Sequence, residues 1–183
     1  MKNGTENRAL HPAWGWIALG FFATHGVALV LKGEAAYLLW SCHLGCVVLA
    51  AGIWWAKPVL VGTAFLWMVV GLPLWLASVL ARGGDFVPTS ILTHVCGLGL
   101  SIAAIRAAGW RRGTWAWAML GLIALWLGTR FAYRGDHNVN LTRDFWFGWE
   151  GEYVGYPLYL VVIAFATAAV FFGVEKLVTS VRR

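Results

Sequence analysis

The chain has 183 residues, of which 60% are hydrophobic and only 12% are charged. Soluble globular domains average roughly 25% charged residues, and a water-soluble fold of this length could not bury so much apolar surface. The formal net charge of +6 comes from basic residues at the ends of apolar segments, which favours membrane lipids as partners and excludes nucleic acid.

Six apolar segments follow one another along the chain, most of them close to the ~20 residues with which an α-helix crosses a bilayer. They cover residues 13–31, 35–55, 58–81, 88–105, 114–128 and 156–174. Most links between them are short, so neighbouring helices are expected to be antiparallel. The sequence therefore predicts an all-α membrane protein with a single transmembrane domain over residues 1–183, a polytopic bundle of about six transmembrane helices.

The longest link, residues 130–155, separates the fifth and sixth segments and is rich in polar and aromatic residues. Links of this length are commonly functional, and the alternative is an interfacial cap at headgroup level. We expect two of its side chains, His137 and Asn140, to contact a substrate.

Lysine and arginine are divided unequally between the two sides of the predicted bundle. The side that includes both termini, Lys57 and the link at 106–112 carries nine of the 14, and the opposite side carries five. The positive-inside rule then predicts that both termini are cytoplasmic and that the 130–155 loop faces outward. The expected location is the cell membrane, which is the inner membrane if the source is bacterial.

Four side chains suited to chemistry share one predicted depth. His25 lies near the outer end of the first segment, Cys42 and His43 lie near the outer end of the second, and His94 lies near that of the fourth. At 1.5 Å per residue, all four sit roughly 9–12 Å below the outer boundary. Ionisable groups at such depth are costly and tend to face a cavity, so we expect a site beneath the outer loop. The alternative is that each histidine only hydrogen-bonds a neighbouring helix.

Thiol-based acyl transfer is the first chemistry that fits these residue types. A cysteine becomes a nucleophile when a histidine accepts its proton, and the expected catalytic pair is Cys42 and His94. His43 projects about 100° away from Cys42 around the helix and is the less suitable partner. The substrate would be a phospholipid of the outer leaflet, and the expected substrate-binding residues are His25, His43, His137 and Asn140.

Other interpretations stay open. Two histidines on different helices, such as His25 or His43 with His94, could ligate haem b, which would make the chain a haem-b or quinone-linked electron-transfer subunit. A non-catalytic accessory subunit that packs against other membrane subunits is the third possibility. The His/Cys set could also supply zinc ligands, but no familiar ligand spacing is present, and no metal site is predicted.

Short motifs resemble those of the YwaF-like family of bacterial integral membrane proteins. They are residues 37–42 (YLLWSC), residues 91–94 (ILTH), Asn140 and residues 157–159 (PLY). Eukaryotic relatives of that family include a transmembrane acyltransferase that acts on ether phospholipids. The resemblance spans residues 35–175 and implies that Cys42 and His94 are the catalytic pair. The chain departs from the family pattern at Trp40, where a histidine is frequent, and its outer loop lacks the usual Asn-Tyr pair.

Overall fold

A computed structural model describes residues 11–81, 83–84, 86–132, 139–141 and 155–181. His137 lies outside these described residues. Within them the chain forms six α-helices and no strands, as the sequence predicts. The helices are α1 Ala13–Leu31, α2 Ser41–Trp54, α3 Pro58–Ala81, α4 Gly97–Ala108, α5 Thr114–Ala132 and α6 Tyr156–Val181.

The predicted bounds of the longer helices agree with the structure at most ends. Helices α1 and α3 begin and end where the apolar segments do, and α5 and α6 begin at the predicted residues. Helix α5 continues to Ala132 and α6 to Val181, each beyond its predicted end. Arg130 therefore belongs to a helix and not to the outer loop, because the residues after Gly128 still suit helical backbone.

The second and fourth predicted segments are not uniform helices. Residues 35–55 begin as a 3-10 turn, Ala35–Leu39, and the chain is extended at Trp40 (ψ 139°) before α2 starts at Ser41. Helix α2 has 14 residues and is only about 21 Å long. In the fourth segment, a π-helical turn, Leu92–Cys96, precedes α4. An apolar run fixes the depth of a segment but does not reveal such local breaks.

One end of the bundle holds the start of α1 and the end of α6. The indole Nε1 of Trp54, the last residue of α2, donates a hydrogen bond to the carbonyl of Pro12, 3.1 Å away. At the same end, the Glu175 carboxylate accepts hydrogen bonds from the backbone N–H groups of Gly113 and Trp115 where α5 begins. We call this the terminal end.

The opposite end holds the end of α1, the start of α2 and the end of α3. Here the ring of His25 contacts that of His43, and the ring of Trp75 stacks on that of His94. We call it the histidine end. Because the helices alternate in direction between these ends, the start of α1 and the end of α6 both lie away from the histidine end.

Within the described ranges, three helices are long and apolar enough to cross a membrane: Ala13–Leu31, Pro58–Ala81 and Tyr156–Val181. Helix α2 and the segment Leu92–Ala108 are apolar but shorter. Large apolar side chains also point out of the bundle, for example Leu31, Phe131 and Phe165, with exposed fractions of 82%, 76% and 74%. Such surfaces are typical of helices that face lipid, and together with the three long apolar helices they agree with the membrane location that the sequence predicts.

Glycines allow α2 and α3 to approach closely. A Cβ atom at Gly52 would lie 2.8 Å from the backbone nitrogen of Val61, and one at Gly71 would overlap the Cβ atom of Cys42. Small residues are the usual means of close helix contact in membranes, where burial from water does not drive association. The tight α2–α3 contact fixes the position of the first turn of α2, which carries Cys42 and His43.

Candidate Cys/His site

Three side chains meet at the histidine end: Cys42 and His43 from the first turn of α2, and His94 from the π-helical turn. The Cys42 sulfur and one ring nitrogen of each histidine all lie within 4.8 Å of one another. All three residues are buried, with exposed fractions of 5%, 6% and 3%. We call Cys42, His43 and His94 the Cys/His cluster. Cys42 and His94, which the sequence places at the same depth, therefore also lie close together in the structure.

His43 belongs to this cluster although the helical direction of its side chain made it the less suitable partner. Its ring lies against that of His94 with centroids 5.2 Å apart and planes at 81°. The imidazole ring extends well away from the helix axis. It can therefore approach the cluster although positions 42 and 43 project about 100° apart around the helix. Proximity alone therefore does not separate His43 from His94 as the partner of Cys42.

Backbone carbonyls fix the protonation pattern of both cluster histidines. The Nδ1 atom of His43 lies 2.7 Å from the carbonyl oxygen of Tyr37, and that of His94 lies 2.9 Å from the carbonyl oxygen of Ser90. A carbonyl only accepts, so each Nδ1 carries the hydrogen. The neutral rings then keep a lone pair on Nε2, which can accept a proton or bind an ion.

The π-helical turn contributes to the placement of His94. A π turn inserts an extra residue into a helix and is frequent at functional sites. Thr93 donates from its hydroxyl to the Ser90 carbonyl, 3.0 Å away, and lies 3.2 Å from the Nδ1 atom of His94. The carbonyl of Ser90 is thus the shared acceptor that orients His94.

Two further rings enclose the cluster. His25, with 2% exposure, lies with its ring centroid 4.7 Å from that of His43, and its Nδ1 atom is 2.9 Å from the Thr89 hydroxyl. Trp75 stacks on His94 with a centroid separation of 4.9 Å and an interplanar angle of 16°. His25, predicted as a substrate-binding residue, is therefore next to the cluster, whereas Trp75 and Thr89 were not predicted.

Asn140 reaches the same end of the bundle from the link between α5 and α6. Its Oδ1 atom accepts a hydrogen bond from the backbone N–H of Ser41, and its Nδ2 donates to the carbonyl of Leu39, at 2.9 and 2.7 Å. Asn140 thereby bridges the two residues that flank Trp40. Its amide supports the start of α2, one residue before Cys42, and its role in binding a substrate stays a prediction.

The cluster lacks carboxylate neighbours among the described residues. Acidic side chains in the described ranges are those of Glu34 and Glu175, and neither joins the cluster. One hydroxyl nearby, the Oγ atom of Ser90, is buried and has no hydrogen-bond partner within the described part of the chain. Buried polar atoms without partners are uncommon, and their explanations include a bound water, an ion or a catalytic role.

Other polar and open features lie elsewhere. Cys46 is buried in the core beside Gly97 and does not join the cluster. An apolar groove of about 280 Å³ runs along the first half of α3 and is lined by residues that include Thr63, Trp67 and Trp117. No cysteine or histidine lines this groove.

A scan against protein-family models, a search of curated proteins and a search of solved structures each gave no match.

Proposed function

We propose that this chain is a multi-pass membrane enzyme that transfers acyl groups on membrane lipids, with Cys42 as the nucleophile and His94 as the base. The observation that carries the proposal is that the Cys42 sulfur and one ring nitrogen of His94 lie within 4.8 Å of each other in a buried cluster. His43 is equally near, and the resemblance to the YwaF-like family favours His94 as the base. Two helices far apart in sequence supply these residues. The Ser90 carbonyl orients the histidine, which completes the nucleophile, base and orienting group typical of covalent catalysis.

The reaction has two steps. His94 accepts the thiol proton at Nε2, and the Cys42 thiolate attacks an ester carbonyl of a phospholipid, forming a thioester while the lysolipid alkoxide leaves with that proton. An acceptor hydroxyl then attacks the thioester, gives its proton to His94, and takes the acyl group as the thiol re-forms. The unpartnered Ser90 hydroxyl is the candidate donor to the oxyanion of each step.

The proposed membrane arrangement has six spans, with both termini cytoplasmic and the histidine end toward the outer leaflet. The chain would lie in the cell membrane, or in the inner membrane of a bacterium. The location of both described chain ends at the terminal end supports an even number of crossings, and the excess of basic residues there supports the orientation. Membrane lipids are the expected partners, and other membrane subunits are the second expected class.

The ring contacts favour acyl transfer over haem ligation. Rings of His25 and His43, and of His43 and His94, pack edge to face with centroids 4.7 and 5.2 Å apart. A porphyrin between the two histidines of either contacting pair needs a gap that these direct contacts do not leave. Haem b stays the alternative, and an oxidised and dithionite-reduced absorption spectrum of the purified protein tests it directly. A Soret band would replace the acyl-transfer proposal.

Membership of the YwaF-like family is part of the same proposal. The motifs at residues 37–42 and 91–94 coincide with the cluster, and Asn140 lies beside it. The departure at Trp40 falls at the extended residue between the 3-10 turn and α2. A non-catalytic accessory subunit would have this fold but would not transfer acyl groups. Measured lipid exchange therefore distinguishes the enzyme from an accessory subunit.

A lipid-exchange assay tests the function. Full-length protein in detergent–phospholipid micelles is given a phospholipid with a labelled acyl chain and an unlabelled lysophospholipid acceptor. We expect label to move to the acceptor, and we expect Cys42→Ser and His94→Gln each to lower the rate by at least ~100-fold. Cys46→Ser, a buried thiol outside the cluster, is the matched control and keeps the rate. Equal rates in all three variants would rule out the proposed pair.

A further inference from the structure

We propose that the Cys/His cluster is also a binding site for a thiophilic d10 metal ion, of the class of Cu⁺ and Zn²⁺, with Cys42, His43 and His94 as the three ligands. This inference goes beyond the acyl transfer and does not rest on it. The ligand spacing in the sequence did not predict it, because two ligands are neighbours on α2 and the third comes from a distant segment.

Distances among the ligand atoms fit this class of ion. An ion at ~2.0–2.3 Å from nitrogen and sulfur ligands holds neighbouring ligand atoms roughly 3.3–4.0 Å apart. The Cys42 sulfur and the histidine nitrogens already lie within 4.8 Å of one another, so closure needs movements of about 1 Å that side-chain rotation supplies. One thiolate and two imidazoles are soft to borderline ligands, which select Cu⁺ or Zn²⁺ over Mg²⁺ or Ca²⁺.

The hydrogen bonds behind the histidines are an independent observation for a metal site. Histidines that ligate metals almost always donate their other ring N–H to a carbonyl or carboxylate, which fixes the tautomer and the ring direction. His43 donates from Nδ1 to the Tyr37 carbonyl, and His94 donates from Nδ1 to the Ser90 carbonyl, at 2.7 and 2.9 Å. Both neutral rings thereby keep the lone pair on Nε2, as ligation requires.

Charge favours Cu⁺ within this class. When an ion binds, the Cys42 thiol releases its proton, and the thiolate with two neutral imidazoles carries one negative charge. Cu⁺ then gives a neutral complex, whereas Zn²⁺ leaves one positive charge unless a hydroxide fills a fourth position. No carboxylate of the described ranges joins the cluster to offset that charge, and uncompensated charge within a membrane is costly.

The bound ion and the acyl group compete for the same sulfur. A Cys42 thiolate that ligates an ion is not available as a nucleophile, so the loaded site would be an inhibited form of the proposed enzyme. His25, whose ring contacts that of His43, lies outside the three-atom set. Because a bound ion occupies the Cys42 sulfur, the alkylation rate of that thiol reports ion binding without any lipid substrate.

Metal-protected alkylation tests the site in the unaltered protein. Metal-free, full-length protein in detergent is titrated anaerobically with Cu⁺ held by a competing chelator, and separately with Zn²⁺. Each sample is treated with a small maleimide and mapped by mass spectrometry. We expect one ion per chain and a fall of at least ~10-fold in Cys42 alkylation, while Cys46 and Cys96 keep their rates as internal controls. An unchanged Cys42 rate at saturating ion would overturn the proposal.

Variants identify the ligands by direct metal analysis after desalting. His43→Gln and His94→Gln are each expected to weaken binding by at least ~10-fold, and Cys46→Ser is expected to bind as the unaltered protein does. Binding that persists in Cys42→Ser would show that the ion lies elsewhere and would refute the site. Tighter binding of Zn²⁺ than of Cu⁺ would refute the charge argument. Metal binding together with no lipid exchange by the metal-free protein would end only the acyl-transfer proposal, and exchange without metal binding would end only this one.

Discussion

Cys42 is confined on its two sides by different kinds of contact. The histidine nitrogens of the cluster lie within 4.8 Å of its sulfur. On the α3 side, the absence of a side chain at Gly71 makes room for it, since a Cβ atom there would overlap that of Cys42 and lie 3.4 Å from its sulfur. The reactivity of Cys42 should therefore respond to a change at a residue that carries no functional group.

Gly71→Ala tests this confinement. The added methyl group must displace Cys42 or separate α2 from α3, and overpacking of this kind costs about 1–3 kcal/mol. We expect the rate of lipid exchange to fall by roughly tenfold or more, with a lowered unfolding temperature, because Cys42 and His94 move apart. Gly99→Ala is the matched control, since nothing lies within 4 Å of its added Cβ atom. Equal activity of both variants would contradict the close contact.

Most residues of the site can be predicted from their depth in the apolar segments. Counting residues inward from the outer ends of three segments selected His25, Cys42, His43 and His94, and the structure brings them together. The same count on the third segment reaches Trp75, six residues before Ala81, which stacks on His94. Ionisable groups and thiols are the residue types that indicate chemistry, so depth in the sequence does not single out a tryptophan. The Tyr37 and Ser90 groups that orient the histidines are backbone carbonyls, which every residue type has. Their roles therefore could not be predicted from the sequence.

At the level of elements, the start of α2 carries the site and depends on a distant asparagine. Asn140, in the left-handed region with φ 53°, turns its amide onto the backbone on both sides of Trp40. A single apolar run predicted one continuous helix here. The break at Trp40 arises from long-range hydrogen bonds, which hydropathy does not encode.

Asn140→Ala tests the dependence. It leaves the Ser41 N–H and the Leu39 carbonyl without their partner, and such losses cost about 1–3 kcal/mol when the groups are buried. We expect a lower unfolding temperature together with slower lipid exchange. Asn140→Asp keeps an acceptor for Ser41 and loses the donor to Leu39, so its effect should be intermediate. An Asn140→Ala protein with the stability and activity of the unaltered chain would show that the bridge is dispensable.

Helix α5 is anchored at the terminal end by a buried acid. Glu175, with 8% exposure, accepts hydrogen bonds from Gly113 and Trp115 at 2.7 and 2.9 Å. A carboxylate at a helix N-terminus satisfies unpaired N–H groups and interacts favourably with the helix dipole. We expect Glu175→Ala to destabilise the protein by about 1–2 kcal/mol.

Glu175→Ala also tests whether stability and lipid exchange depend on different ends of the molecule. Because Glu175 lies at the opposite end from the cluster, the rate of lipid exchange per folded molecule should not change. Thermal unfolding and exchange are measured on the same Glu175→Ala sample, with Lys176→Gln, an exposed neighbour, as the control. A loss of exchange in fully folded Glu175→Ala protein would contradict the division of the molecule into two ends.

For the whole molecule, the alternating helices give the membrane proposal a testable geometry. The links at Lys32 and Lys57 lie at opposite ends of the bundle, since one joins α1 to α2 and the other joins α2 to α3. We expect a membrane-impermeant maleimide to label Lys32→Cys in intact cells and to label Lys57→Cys only after permeabilisation. The reverse pattern would invert the topology, and labelling of both in intact cells would contradict it.

The overall architecture was easier to predict than its details. Helix count and direction follow from apolar length and short links, so the bounds of α1 and α3 agree with the prediction. The short α2 and the π-helical turn depend on contacts between segments. Cys42 and His43 directly follow the break at Trp40, and His94 lies within the π-helical turn. The residues of the site could thus be predicted from the sequence, whereas the local backbone that positions them could not.

Trapping the acyl intermediate tests the central claim most directly. Full-length protein is incubated with a phospholipid and no acceptor, quenched in acid, digested and mapped by mass spectrometry. The account predicts a mass increase of one fatty acyl group on the Cys42 peptide, removable by hydroxylamine as a thioester should be, and absent in His94→Gln. Acyl groups on Cys46 or Cys96 alone, or none on any cysteine while lipid exchange proceeds, would contradict a Cys42 thioester and the mechanism built on it.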